Sequence, residues 1–327
     1  MSAPTHASLS EAAGLAGRLL DGDRVALSRL ISWAENTDPR FGPALDLVYA
    51  KVGRAARIGF TGPPGCGKST LVNEVAKAFR ARSQTVGVLA VDPSSPFSGG
   101  ALLGDRIRME ERTLDPGVFI RSMASRESRG GIAHATTDAC DAMDAFGLQQ
   151  ILIETVGVGQ AEYDVVSAAD TIVVVLCPGA GDGIQAMKAG LLEVADVLVV
   201  NKSDLPGADR LAGDLEEAVH VRRGREADFP VPVLALCAAS GAGIEGLIGA
   251  LDSHRAWLDA HDLPGRRLTR RVERIRQSVD ETLSDALWQQ SGWSERVRSQ
   301  LEQGRAPHRI AGELAGQAVA SIRGLRT

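Results

Sequence analysis

The chain has 327 residues, 44% of them hydrophobic and 24% charged, with a formal net charge of -5. These are globular values, which exclude a disordered or fibrous chain, and at about 150 residues per domain the length corresponds to roughly two domain-equivalents. The acidic balance removes any global electrostatic case for nucleic acid, and no apolar run approaches the roughly 18 residues of a membrane helix.

From Leu9 to about Val52 apolar residues recur at three- and four-residue spacings, among them Leu15, Leu19, Leu27, Leu30, Ile31, Leu45 and Val52. That spacing predicts helices, interrupted at Asp21-Gly22-Asp23 and Thr37-Asp38-Pro39. From Ala56 to about Leu251 short apolar runs alternate with helix-length stretches. The predicted strands are Ile58–Phe60, Val86–Val91, Val118–Arg121, Ile151–Glu154, Thr171–Cys177, Val197–Asn201 and Val233–Cys237. Continuous apolar strands between helices imply a doubly wound, mostly parallel α/β sheet covered on both faces, with ligands at the strand ends. From His254 onward Leu268, Val272, Ile275, Val279, Leu283 and Leu287 form one helical stripe flanked by arginines. It reads either as a solvated amphipathic helix or as an oligomer interface. The organisation expected is a helical extension over 1–55, a nucleotide-binding domain over 56–253 and a second helical extension over 254–327.

Cys66, Cys140, Cys177 and Cys237 are widely spaced and form no C-x-x-C pair, against a disulfide framework or zinc site and for a reducing compartment. The first thirty residues show no basic-then-apolar leader, so a cytoplasmic location is expected.

After the first predicted strand comes Gly62-Pro63-Pro64-Gly65-Cys66-Gly67-Lys68-Ser69-Thr70, a full G-x-x-x-x-G-K-[ST] match. Glycines let backbone N–H groups converge on a phosphate without side-chain collision, and the following helix points its positive end at the same anion. Lys68 is the group expected to reach the β- and γ-phosphates, and the Ser69 hydroxyl to ligate Mg²⁺. A strand before and a helix after are the context this P-loop NTPase motif requires.

The sixth strand ends in Asn201-Lys202-Ser203-Asp204. Asp204 can accept two hydrogen bonds from guanine N1–H and its exocyclic amine, which adenine cannot offer, so GTP and GDP are favoured over ATP. In Cys237-Ala238-Ala239-Ser240, Cys237 takes the position where GTPases usually carry serine, and Ala238 is expected to turn its N–H toward the guanine oxygen. Asp92 at the end of the second strand, and Asp105 beyond it, are candidates to hold Mg²⁺ or orient the attacking water. Glu154-Thr155-Val156-Gly157 stands where most GTPases carry D-x-x-G. Glu154 keeps the carboxylate for Mg²⁺, and the Gly157 N–H can sense the γ-phosphate. No glutamine follows Gly157 directly, so slow intrinsic hydrolysis that needs a partner is expected. Two further polar loops, one with Arg126 and Arg129 and one with Asp182, Gln185 and Lys188, are candidate switch or partner segments.

Together Gly62–Thr70, Asp92-Pro93-Ser94-Ser95-Pro96 with Gly104-Asp105-Arg106, Glu154–Gln160, Pro178–Lys188 and Asn201–Asp204 resemble the MeaB/ArgK family of G proteins. The match is dense over the central domain and in outline at the ends. It departs at Ala101, at Ser125–Arg129 and at Cys237. The resemblance implies a GTPase chaperone of adenosylcobalamin-dependent methylmalonyl-CoA mutase that gates cofactor loading and protects the mutase. It also implies a homodimer formed through helical extensions and hydrolysis stimulated by the mutase. The alternatives are a GTPase inserting another metallocofactor, which would need a Cys/His cluster, and a P-loop small-molecule kinase, for which N-K-x-D would be superfluous.

Overall fold

A computed structural model of the chain describes residues 6–93, 115–125, 131–155, 161–179, 190–222, 229–290 and 292–324. Three helices open it: α1 (His6–Leu20), α2 (Arg24–Glu35) and α3 (Phe41–Val48). The order then runs β1 (Ala56–Thr61), α4 (Lys68–Ala81), β2 (Val86–Pro93), β3 (Val118–Ser125), α5 (Gly131–Phe146), β4 (Gln150–Thr155), α6 (Ala161–Ala168) and β5 (Thr171–Leu176). It continues with α7 (Leu191–Val194), β6 (Val197–Val200), α8 (Ala208–Arg222), β7 (Val233–Ala235), α9 (Ile244–Ala260) and α10 (Leu263–Asp285). A π-helical turn, Ala286–Gln290, precedes α11 (Trp293–Glu302) and α12 (Pro307–Gly324). Every predicted strand is present.

The seven strands form one parallel sheet in the order β3-β2-β4-β1-β5-β6-β7. Parallel strands buried on both faces send alternate side chains to opposite layers. In β5 and β6, Ile172, Val174, Leu176, Leu198 and Val200 enter one core, whereas Val173, Val175, Val197 and Val199 enter the other. The first core takes α1, α2, α3, α5, α6, α7 and α8; the second takes α4 and α9. Leu27, Leu30, Ile31 and Trp33 of α2 are buried in the same cluster as Leu89, Val91, Ile151 and Ile153 of the sheet. Asp23 caps α2 by accepting the N–H groups of Val25 and Ala26.

The chain divides into two compact units, Met1–Leu268 and Thr269–Thr327. The opening helices and the whole sheet lie in the first. In the second, Trp293, Ile310 and Leu314 form a small core supported by Leu287, Val297 and Ala318.

Candidate functional site: a phosphate loop joined to a base-reading segment

β1 and β4 are neighbours, with Phe60 opposite Glu154, so the loop leaving β1 and the carboxylate ending β4 emerge side by side at the carboxyl edge of the sheet. The loop is shaped by two glycines. Gly62 has φ +138°, and a Cβ there would lie 2.1 Å from the Val175 carbonyl oxygen. Gly67 has φ +88°, and a Cβ there would lie 2.5 Å from Asn201 Nδ2. Both positions need a residue without a side chain. Gly67 then begins α4, and no side chain caps that terminus. Gly67 itself brings no side-chain acceptor to the first-turn N–H groups, which suits an anion.

Lys68 is 5% exposed, and its Nζ donates to the carbonyl oxygens of Gly62 (2.8 Å) and Pro63 (3.0 Å). The ammonium is thus held over the loop it helps to form. The Ser69 hydroxyl donates to Glu154 Oε1, and Glu154 is buried. One hydroxyl and one carboxylate in contact beside a phosphate loop suit Mg²⁺, which takes few protein oxygens and completes its shell with phosphates and water. Among the described residues no group of three or more His, Cys, Asp or Glu gathers to hold a metal by itself. Burial pushes the Cys66 thiol up to about 11 despite the opposing charge of Lys68, so at neutral pH it is protonated.

The N-K-x-D segment is bonded onto this loop. Asn201 is buried; its Nδ2 donates to the Cys66 carbonyl at 2.8 Å and its Oδ1 accepts the Ala238 N–H at 3.0 Å. Lys202 adopts φ +57°, and its Nζ donates to the Gly65 carbonyl at 2.7 Å. The Ser203 N–H donates to the Leu236 carbonyl at 3.0 Å, tying the turn to β7's exit. Asp204 stands exposed on that turn. Cys237 pairs with Ala242 across a short antiparallel bridge, and its carbonyl accepts the Ser240 hydroxyl at 3.2 Å. The Ala238 N–H, expected to face the guanine oxygen, donates here to the buried amide oxygen of Asn201. The following residue, Ala239, is exposed.

Gly62 to Thr70, Glu154, Asn201, Lys202, Asp204 and the 237–240 turn are therefore all placed along the carboxyl edge. Asp92 lies at the end of β2, opposite Ala124 of β3. Asp105, Gly157, Arg126, Arg129, Asp182, Gln185 and Lys188 lie outside the described residues.

The charged groups at the opposite edge of the sheet were not foreseen from the amino acids. Arg57 sits at the entry to β1 with Asp141, Asp144, Asp170 and Arg267 around it. The available signal was a guanidinium inside a buried parallel strand, which demands partners.

The geometry is that of a phosphate loop with an N-K-x-D turn bonded onto it, and known proteins resemble the chain as follows. Residues 27–292 match the family described as "Methylmalonyl Co-A mutase-associated GTPase MeaB". A protein of Pyrococcus abyssi named as a GTPase is 45% identical over 269 residues, covering 82% of each chain. The GTPase ArgK of Escherichia coli is 32% identical, covering 87% of this chain and 88% of its own. The mitochondrial methylmalonic aciduria type A homolog of Mus musculus is 35% identical over 69% of this chain and 59% of its own. Among solved structures, the LAO/AO transport system kinase superposes with a TM-score of 0.74 at 27% identity, covering 96% of this chain and 99% of its own. Motif, crevice and whole-domain similarity converge, and the chain belongs to the MeaB family of methylmalonyl-CoA mutase-associated GTPases.

Proposed function

We propose that this protein binds GTP with Mg²⁺ in the crevice, hydrolyses it slowly when alone, and uses the cycle to assist adenosylcobalamin-dependent methylmalonyl-CoA mutase by gating cofactor loading and protecting the mutase. The observation that carries the nucleotide reading is the pair of hydrogen bonds at Asn201, one to the Cys66 carbonyl of the phosphate loop and one from the Ala238 N–H, which tie the N-K-x-D turn to both segments. Asp204 then reads the guanine edge, and the exposed Ala239 is the residue whose N–H takes the guanine oxygen in place of Ala238. Lys68 neutralises the β- and γ-phosphates. When bound, Mg²⁺ would be held by Ser69 and Glu154, with Asp92 and Asp105 as further candidates, and would draw charge from the γ-phosphate. Water attacks the γ-phosphorus, the bond to the β-bridging oxygen breaks, and GDP and phosphate leave. The family's mutase-associated description supports the partner.

A homodimer is part of the same proposal. Leu268, Val272, Ile275, Val279 and Leu283 are all at least 43% exposed along one face of α10. The unit bearing most of that face has a core of only three buried apolar residues among those described. A contiguous apolar stripe beside so small a core suits burial against a second copy.

The deciding experiment is GTP turnover with and without purified methylmalonyl-CoA mutase, and with ATP as the alternative substrate. Stimulation with GTP alone is expected. Turnover unchanged by mutase would remove the partner, and equal turnover of ATP would remove the base assignment.

A further inference from the structure

At the edge of the sheet remote from the nucleotide crevice, two arginines and three aspartates form a buried belt around the entry to β1. Arg57 Nη2 donates to Asp141 (2.7 Å) and Asp144 (3.2 Å). Asp144 also accepts the N–H groups of Gly53, Arg54 and Ala55, the linker between the opening helices and the sheet. Asp170, at the entry to β5, accepts the Arg57 N–H at 3.2 Å and returns its own N–H to the Arg57 carbonyl at 2.8 Å. Arg267, from the first turns of α10, closes the belt. Its Nε and Nη2 donate to the two oxygens of Asp170 (3.0 and 2.5 Å), and its Nη1 and Nη2 donate to the carbonyls of Gly53 and Ala55 (2.6 Å each). Beside it His254 of α9 shares a hydrogen bond with the Thr171 hydroxyl at 2.9 Å.

Two features make this more than a static anchor. Arg57 uses one nitrogen for both carboxylates while its Nε is buried with no hydrogen-bond partner. A guanidinium has five N–H donors in a rigid fork, so a small slide of the strand can exchange one bonded nitrogen for another. Idle buried donors are uncommon and call for a physical reason. The second feature is β1 itself. It runs six residues from the belt to the phosphate loop, paired on both sides. At its far end Gly62 lies against the Val175 backbone with no lateral room.

We propose that the belt is a two-position latch: a shift of the phosphate loop on nucleotide exchange travels along β1, re-pairs Arg57 among Asp141, Asp144 and Asp170, and is read at the root of α10 through Arg267. Arg57 and Arg267 are positioning residues; neither touches nucleotide. The proposal rests on the guanine-nucleotide reading of the loop.

The test is amide hydrogen exchange on the full-length protein with Mg²⁺ and either GDP or a non-hydrolysable GTP analogue, following peptides over residues 50–58 and 262–270. Exchange in both peptides should differ between the two nucleotides by about fivefold, the low end of ordinary coupling between sites. Arg57→Lys keeps the charge and loses the fork. It should erase the difference while fluorescent GDP binds within about twofold of wild type, well below the tenfold that 1.4 kcal/mol represents. A simple structural role would raise exchange equally in both nucleotide states instead. If Arg57→Lys does not fold, Arg267→Lys makes the same test from the other end of the belt. Equal exchange in the wild type with nucleotide demonstrably bound overturns the latch alone, as does a difference that survives in the variant. A wild type that binds no guanine nucleotide overturns the latch and the site reading together.

Discussion

Asn201 has both ends of its amide committed, one to the phosphate loop and one to the 237–240 turn. It therefore fixes the phosphate loop and the 237–240 turn relative to each other. Asn201→Ala would leave a buried carbonyl and a buried N–H without their partner, at about 1–3 kcal/mol for each orphaned group. Much of that cost falls on folding; the share that falls on the nucleotide-competent arrangement, about 1.4–2.8 kcal/mol, should lower GDP affinity by roughly 10- to 100-fold in a fluorescent-nucleotide titration. An unchanged affinity would mean that the two segments hold their places without it. Asn201 was legible in the sequence as part of N-K-x-D, but the destination of its oxygen was not. Which of two adjacent N–H groups meets a side chain 37 positions away depends on the bridge between Cys237 and Ala242, not on local composition.

At the scale of elements, α2 is a wall of the nucleotide-binding unit and not an appendage to it. Leu27, Leu30 and Ile31 are fully buried in the cluster that includes Leu89, Ile151 and Ile153. Arg24 also reaches the sheet, donating to the Pro116 and Val118 carbonyls, and Arg121 of β3 pairs with Glu35 at 2.7 Å. Leu30→Ala should cost about 2–5 kcal/mol, as large-to-small changes in packed cores do. That should lower Tm by roughly 5–15 °C in scanning calorimetry, given a few degrees per kcal/mol. A change under about 2 °C would show the opening helices to be loosely attached. The helical spacing of residues 9–52 predicts the helices; it says nothing of the surface they cover. An amphipathic helix records only that it has an apolar face.

The apolar face of α10 is a feature that solvent alone does not explain. If a second copy covers it, Ile275→Asp places a charge in the interface and should weaken self-association by more than about tenfold, the scale of an interface hot spot. Sedimentation velocity would then show a shift from dimer to monomer, with GDP affinity retained. A wild type that sediments as a monomer at micromolar concentration, or a variant indistinguishable from a dimeric wild type, would return the stripe to an amphipathic surface helix. Among the described residues no helix is long and apolar enough to cross a membrane.

The seven strands, the phosphate loop, the N-K-x-D turn and the family were legible in the amino acids alone. Each of these is written in contiguous residues that mirror a local physical need: a strand buried on both faces, an anion nest, a helix start. The strand order, the stitching of residue 201 to residues 66 and 238, and the belt in which Arg57 meets Asp141, Asp144 and Asp170 and Arg267 meets Asp170 emerge on folding. Those pairings join residues from 37 to 135 positions apart. A buried charge must find an opposite partner, but the chain can supply it from any element that folding brings near, and no local pattern names which one.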